Sequence, residues 1–169
     1  MSENSNPDNS KINILIVEDD NFLKDLLGEQ LTAQSMPFRP TYAFDGKQAV
    51  EAMATEKPSI VLLDIRLPGE KDGLDVLEWM RENDRTKDLP VLILSNYNQE
   101  DYVRKGEKLG IEGYLVKANF SLREIIQQIK KIVDEYYPDF SNETLERVAE
   151  GEKMAKEEND EEEEGEKEE

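Results

Sequence analysis

Apolar positions along residues 11–137 alternate between short runs and wider helical spacing. The clearest run, Ile12–Val17, is continuous and suits a central parallel strand that is buried on both faces. Shorter segments that follow are bounded by polar or turn residues, as strands usually are. The pattern therefore predicts five strands, at Ile12–Val17, Phe38–Phe44, Ile60–Leu63, Val91–Leu94 and Gly113–Val116.

Between these runs, apolar residues recur three or four positions apart, as on one face of a helix. The spacing predicts helices around residues 22–31, 49–53, 74–80 and 122–136, and Ser121 is a suitable N-cap for the last one. Five strands alternating with helices predict an α/β fold with a doubly wound parallel sheet. For about 125 residues, the flavodoxin-like (βα)5 arrangement with strand order 2-1-3-4-5 is the natural choice.

Composition changes this picture at the two ends of the chain. The 169 residues carry a net charge of −19. Residues 138–169 alone contain 15 acidic and 4 basic residues. This predicts a domain over 11–137, an acidic C-terminal tail over 138–169 and a disordered polar segment over 1–10. Residues 141–155 show a weak helical pattern, which leaves open an extra helix or no stable structure.

The composition also excludes several classes of function. The chain has no cysteine and no histidine, so thiolate chemistry, Ser-His-Asp catalysis and His-ligated metals are excluded. The strong negative charge argues against nucleic acid as a direct partner. No apolar stretch approaches the roughly 18 residues that cross a bilayer, and no signal peptide is recognisable, so we expect a cytoplasmic protein without a membrane partner.

Polar residues stand where the predicted strands end. Glu18 and Asp19 follow the first strand, Asp64 follows the third, and Ser95 and Lys117 follow the last two. In a doubly wound sheet, ligands bind beyond the carboxyl ends of the strands. Carboxylates gathered there repel one another unless a cation offsets them, and oxygen ligands without His or Cys suit Mg²⁺. The pattern therefore predicts a site for Mg²⁺ and a phosphoryl group.

Four segments together closely resemble the response-regulator receiver family of two-component signalling. They are Ile-Leu-Ile-Val-Glu-Asp-Asp at 14–20, Asp-Ile-Arg-Leu-Pro at 64–68, Leu-Ser at 94–95 and Gly-Tyr-Leu-Val-Lys at 113–117. The resemblance covers roughly residues 11–137. It implies a single-domain response regulator, similar to the chemotaxis regulators, that takes a phosphoryl group from a phosphohistidine of a sensor histidine kinase or histidine phosphotransfer protein.

The resemblance also implies residue roles at the strand ends. Asp64 is the expected phospho-acceptor, with Lys117 and Ser95 contacting the phosphoryl group. The expected Mg²⁺ ligands are Asp19, Asp64, the backbone carbonyl of Arg66 and, largely through water, Glu18. Ser95 and Tyr114 match switch positions, although a tyrosine that only packs fits position 114 equally well. The expected output face is helix 4, strand 5 and helix 5, around residues 102–133, which contacts a downstream target protein.

Three positions depart from the family pattern. The loop over 64–73 is one residue longer than usual, which alters partner contacts. Asn96 replaces the usual Ala or Gly and is expected to narrow access for the phosphodonor. Ala118 replaces a proline, and because a cis bond without proline costs about 2.5–4 kcal/mol, the sequence favours a trans bond after Lys117 but leaves cis or trans open. Arg66 and Tyr97 flank the site at variable positions and are expected to tune the lifetime of the phosphoryl group.

Two alternative functions stay open. One is a degenerate receiver that acts as a constitutive interaction module, which the intact Asp64, Lys117 and acid pair argue against. The other is a Mg²⁺-dependent phosphatase with an aspartyl-phosphate intermediate, which would require a second acid where Arg66 stands. A nucleotide or flavin binder is disfavoured because the first strand leads into acids instead of a Gly-rich phosphate loop. We therefore expect no enzyme beyond self-catalysed phosphoryl transfer and autodephosphorylation.

Overall fold

A computed structural model describes residues 11–34 and 38–140 of the chain. It contains one five-stranded parallel sheet in the order β2-β1-β3-β4-β5, which confirms the predicted α/β fold and strand order. The strands are β1 (Ile12–Val17), β2 (Phe38–Ala43), β3 (Ile60–Leu63), β4 (Val91–Ser95) and β5 (Gly113–Val116). The helices are α1 (Asn21–Thr32), α2 (Gly46–Glu56), α3 (Gly73–Glu82), α4 (Glu100–Lys108) and α5 (Leu122–Tyr136).

The central strands are buried over their whole length, as their continuous apolar runs predict. Every residue of β1, β3 and β4 is buried, whereas the edge strand β2 has buried residues at its two ends and more exposed ones between them. Two predicted boundaries shift by one residue, because β2 ends at Ala43 and β4 continues through Ser95. The second shift matters for the site, since it makes Ser95 part of the sheet.

Acidic and hydroxyl side chains fix where the helices begin. Asp20 caps α1 by accepting the Leu23 N–H at 3.1 Å, and Asp45 caps α2 in the same way. Ser121 accepts the Glu124 N–H at 3.3 Å and thereby confirms the cap predicted for α5. These short-range bonds satisfy N–H groups that a helix leaves free at its start. They also fix the chain direction immediately after the strand ends that carry the candidate site.

Buried apolar side chains fill both faces of the sheet. One cluster packs β1, β3 and β4 against α2 and α3, with Met53, Leu77 and Met80 among its helical members. On α5, four isoleucines are buried, at positions 125, 126, 129 and 132. The sheet is therefore covered on two sides, and its carboxyl edge is where polar groups can be exposed.

The chain divides into two units, residues 1–132 and 133–169. The second unit begins within α5, and residues 1–10 and 141–169 lie outside the described residues. The predicted boundary near residue 137, the disordered segment over 1–10 and the pattern at 141–155 therefore stay predictions. Among the residues that the structure describes, no helix is both long and apolar enough to cross a membrane.

Candidate functional site

The register of the two central strands places two carboxylates side by side. Val17 pairs with Leu63 at the end of the β1–β3 ladder, so the next residues, Glu18 and Asp64, are neighbours. The Asp64 N–H still donates to the Val17 carbonyl at 3.0 Å. Both acids are nearly inaccessible to solvent, with 2% of Glu18 and 5% of Asp64 exposed. The fold thus buries two acids in contact range, which is unfavourable without a compensating charge.

The Asp64 carboxylate is held from three directions. Its Oδ1 accepts a hydrogen bond from the Ser95 hydroxyl at 2.7 Å and another from the Arg66 N–H at 3.0 Å. Its Oδ2 accepts one from Lys117 Nζ at 2.6 Å. Ser95 is fully buried, while Lys117 begins the short 3₁₀ helix that follows β5. The carboxyl ends of β3, β4 and β5 therefore bring Asp64, Ser95 and Lys117 together, at the strand ends where the sequence predicts them.

Lys117 bridges the two buried acids. Its Nζ lies 2.6 Å from Glu18 Oε2 and 2.6 Å from Asp64 Oδ2. Burial raises the pKa of Glu18, and the contacts with Lys117 and the Asp20 N–H offset this only in part. Burial lowers the pKa of Lys117, but its hydrogen bonds to Asp64 and Glu18 outweigh burial and raise it overall. Both pKa values are therefore raised, that of Glu18 because burial outweighs its contacts and that of Lys117 because its contacts outweigh burial.

Three carboxylates form a cluster that could hold a metal ion. Glu18, Asp19 and Asp64 each offer an oxygen, and these oxygens all lie within 4.8 Å of one another. Asp19 is exposed, so the cluster is open to solvent on one side. An all-oxygen donor set with an open side fits Mg²⁺, which binds few carboxylates and keeps several waters. The role expected for the Arg66 carbonyl stays a prediction.

Aromatic and cationic side chains surround Ser95 and Asp64. The Tyr97 N–H donates to Ser95 Oγ at 3.2 Å, and the Arg66 guanidinium lies 4.8 Å from the centre of the Tyr97 ring. Tyr97 also packs edge-to-face on Tyr102 at 4.6 Å between ring centres. The Tyr114 hydroxyl donates to the Tyr97 carbonyl, and burial raises the pKa of Tyr114 to about 12. Tyr114 is thus connected to the loop that follows Ser95.

The long loop after Asp64 returns tightly to the strand before α3 begins. The Gly73 N–H donates to the Ile65 carbonyl at 2.8 Å. A Cβ on Gly73 would lie 2.1 Å from the Asp64 carbonyl oxygen, so this approach requires glycine. Asp72 and Asp75 then cap each other's N–H groups and begin α3. The loop between Arg66 and Asp72 therefore closes back onto the end of β3 beside Asp64.

Two contacts at the site are absent from the sequence prediction. One is the Lys117–Glu18 ion pair, because Glu18 was assigned to the metal alone. The other joins two of the three departures from the family pattern, since the Ala118 N–H donates to Asn96 Oδ1 at 2.9 Å. The bond between Lys117 and Ala118 is trans, the form that the sequence favours but leaves open. No sequence pattern predicts this second contact, because it depends on the paths of the loops that follow Ser95 and Lys117.

Comparison with known proteins agrees with the fold and with the acidic cluster. The model of the response regulator receiver domain family matches residues 14–130. The chain belongs to this family, whose members act in two-component signalling.

Three solved structures illustrate the similarity. The phosphorylated cyanobacterial phytochrome response regulator RcpA is 27% identical with a TM-score of 0.64, and the match covers 75% of this chain and 94% of RcpA. The Mn²⁺-bound form of response regulator Rcp1 is 29% identical with a TM-score of 0.62, over 72% and 91% of the two chains. The non-phosphorylated HemR receiver domain from Leptospira biflexa is 29% identical with a TM-score of 0.64, over 72% and 93%.

Proposed function

We propose that the protein is a phosphorylation-dependent response regulator in which Asp64 accepts a phosphoryl group from a partner phosphohistidine. The donor would be a sensor histidine kinase or a histidine phosphotransfer protein. The observation that supports this most is the hydrogen bonding of Asp64. Its Oδ1 accepts from the Ser95 hydroxyl at 2.7 Å, and its Oδ2 accepts from Lys117 Nζ at 2.6 Å. A carboxylate held in this way is positioned for attack on phosphorus.

In the proposed reaction, a carboxylate oxygen of Asp64 forms the new O–P bond. The P–N bond of the donor breaks, and the leaving imidazole keeps the electron pair and takes up a proton. The product is an acyl phosphate, which brings three further oxygens to this buried end of β3. Lys117 and Ser95 already donate to Asp64 and are placed to donate to those oxygens as charge builds up on them.

The same residues account for a dependence on Mg²⁺. Glu18, Asp19 and Asp64 supply the carboxylate oxygens that would hold the ion. Bound Mg²⁺ would neutralise charge on the phosphoryl oxygens and orient the donor. The Mn²⁺-bound structure of Rcp1, a relative with the same fold, is consistent with a divalent ion in such a cluster.

The signal would leave the site through Tyr114 and the face formed by α4, β5 and α5. Tyr114 lies on β5, and its hydroxyl donates a hydrogen bond to the Tyr97 carbonyl in the loop before α4. A rearrangement of Ser95 around a phosphoryl group would reach Tyr97, whose N–H donates to the Ser95 hydroxyl oxygen. The protein would therefore be a two-state switch whose phosphorylated state is recognised by a downstream protein. It would catalyse its own phosphorylation by the donor and its own dephosphorylation, but would not turn over an external substrate.

The test is covalent modification of the whole chain by a small phosphodonor. We expect incubation with acetyl phosphate or phosphoramidate and Mg²⁺ to add the mass of one phosphoryl group, as measured by intact mass spectrometry. Asp64→Asn should abolish the addition, and chelation of Mg²⁺ should suppress it. Asp88→Asn, an exposed acid in the loop before β4, is the matched control and should behave like wild type.

Other results would support the alternatives. A folded protein that gains no mass from either donor would favour a constitutive interaction module. Steady release of phosphate over many turnovers would instead favour a phosphatase, even though Arg66 stands where such an enzyme needs an acid.

A further inference from the structure

The pairing between β4 and β5 continues beyond the end of the sheet through a side chain. The backbone ladder ends at the pair formed by Ser95 and Val116. Two residues beyond Val116, the Ala118 N–H donates to the side-chain oxygen of Asn96 at 2.9 Å. This bond, which we name the Asn96 latch, joins the loop after β4 to the loop after β5.

The latch depends on both residues at once. Ala118 has an N–H to donate, which a proline at this position would lack. The Asn96 side chain carries an acceptor oxygen that reaches Ala118, whereas Ala or Gly would have no side-chain acceptor. The bond before Ala118 is trans, and residues 117–119 form a short 3₁₀ helix. The hydrogen bond therefore requires an acceptor side chain at position 96 and a residue other than proline at position 118.

The latch lies directly beside the two groups that hold Asp64. Asn96 follows Ser95, whose hydroxyl is 2.7 Å from Asp64 Oδ1. Ala118 follows Lys117, whose Nζ is 2.6 Å from Asp64 Oδ2. Because Ser95 precedes Asn96 and Lys117 precedes Ala118 in the chain, a hydrogen bond between Asn96 and Ala118 limits how far Ser95 and Lys117 can separate.

We propose that Asn96 is a positioning residue, which holds Ser95 and Lys117 together on Asp64 for phosphorylation. This inference rests on the proposed function. It differs from the view that the Asn96 side chain restricts access for the phosphodonor, because a side chain bonded to Ala118 is held toward the β5–α5 loop. The two views predict opposite effects when the side chain is shortened.

The test compares rates of phosphorylation by acetyl phosphate at saturating Mg²⁺. Asn96→Ala removes the acceptor and should slow the reaction about threefold to tenfold, the range expected for one exposed hydrogen bond. Asn98→Ala, two residues further along the same loop, is the matched control and should react like wild type. The Mg²⁺ concentration for half-maximal rate should not change, because Glu18 and Asp19 are not altered.

Two further measurements separate positioning from a general loss of structure. Hydrogen exchange of the Ala118 amide should become faster in Asn96→Ala while the unfolding midpoint stays close to that of wild type. Ala118→Pro removes the donor, so adding Asn96→Ala to it should slow phosphorylation no further. Ala118→Gly keeps the N–H and should retain the effect of Asn96→Ala in full. If Ala118→Pro does not fold, the rate and amide exchange of Asn96→Ala decide alone.

Each outcome has a defined meaning. A rate for Asn96→Ala equal to or above that of wild type, with wild type phosphorylated, overturns the positioning role and leaves the proposed function intact. A fall in rate explained by a lower folded fraction also overturns it. If wild-type protein itself gains no phosphoryl group, the proposed function fails, and the positioning role fails with it.

Discussion

At the scale of single residues, the site is organised by the charge of Lys117. Two unit charges about 4 Å apart in surroundings of effective dielectric near 20 interact by about 4 kcal/mol. The carboxylates of Glu18 and Asp64 would repel each other by an energy of that order. Lys117 Nζ lies 2.6 Å from Glu18 Oε2 and 2.6 Å from Asp64 Oδ2, which offsets this repulsion. Asp19 adds a third carboxylate to the cluster, so the negative charge still exceeds the positive charge there. A divalent cation is therefore expected to bind and to stabilise the folded protein.

The first prediction concerns Mg²⁺ and two neighbouring aspartates. A ligand at about a hundred times its Kd stabilises the folded state by about 2.7 kcal/mol, so Mg²⁺ should raise the unfolding midpoint of wild type. Asp19→Asn removes a ligand and should lose most of this rise. Asp20→Asn makes the same charge change at the cap of α1, where Asn also caps well, and should keep it. Equal shifts in both variants would remove Asp19 from the metal site.

The second prediction concerns Tyr114 at high pH. Burial raises its pKa from 10.0 to about 12, so the unfolded chain loses the proton first as the pH rises. Its contribution to stability is complete below pH 10 and is lost as the pH passes through 12. Chemical denaturation of wild type and Tyr114→Phe should therefore show a stability difference that changes between these pH values. A difference independent of pH across that range would show that the pKa of Tyr114 is not raised.

At the scale of elements, the junction between β3 and α3 determines where Asp64 lies. The helix begins close to the strand end because Gly73 has no side chain to hold it away. A Cβ there would meet the Asp64 carbonyl oxygen at 2.1 Å and the Ile65 Cα at 2.7 Å, which are backbone atoms with little freedom to move. The junction thus links the long loop, the start of α3 and the phospho-acceptor.

The third prediction follows from this junction. Gly73→Ala should cost about 1–3 kcal/mol of unfolding free energy, as overpacking usually does, and should slow phosphorylation of the folded fraction. Gly113→Ala is the matched control on β5, because its nearest neighbour is a flexible Leu92 methyl group at 3.1 Å. Urea denaturation of both variants provides the comparison. Equal losses of stability would mean that the β3–α3 junction is no tighter than the rest of the sheet.

At the scale of the whole molecule, the fold was predictable because a few rules leave little freedom. Continuous apolar runs identified β1 and β3 to the residue, and right-handed crossovers with alternating helices fixed the strand order. The predicted end of β2 was one residue too late and that of β4 one residue too early, because the apolar pattern does not distinguish the last paired residue of a strand from the first unpaired one. Acids at the strand ends gave the candidate site for the same topological reason.

The contacts within the site were less predictable. The position of Lys117 at a strand end follows from topology, but its bridge to Glu18 depends on a side-chain conformation that no pattern encodes. The Asn96 latch depends on the path of two loops, and loops have no periodic signal. Sequence reasoning therefore identified the members of the site, whereas the structure was needed to show which of them contact each other.

The most direct test of the central claim is to locate the acyl phosphate. Protein treated with acetyl phosphate and Mg²⁺ would be reduced with borohydride, which converts a phosphorylated aspartate to homoserine, and then mapped by peptide mass spectrometry. We predict homoserine at position 64 and an unmodified Asp19 and Asp20. Homoserine at another aspartate, or none anywhere in a protein that is folded and supplied with Mg²⁺, would contradict the assignment of Asp64 as the phospho-acceptor.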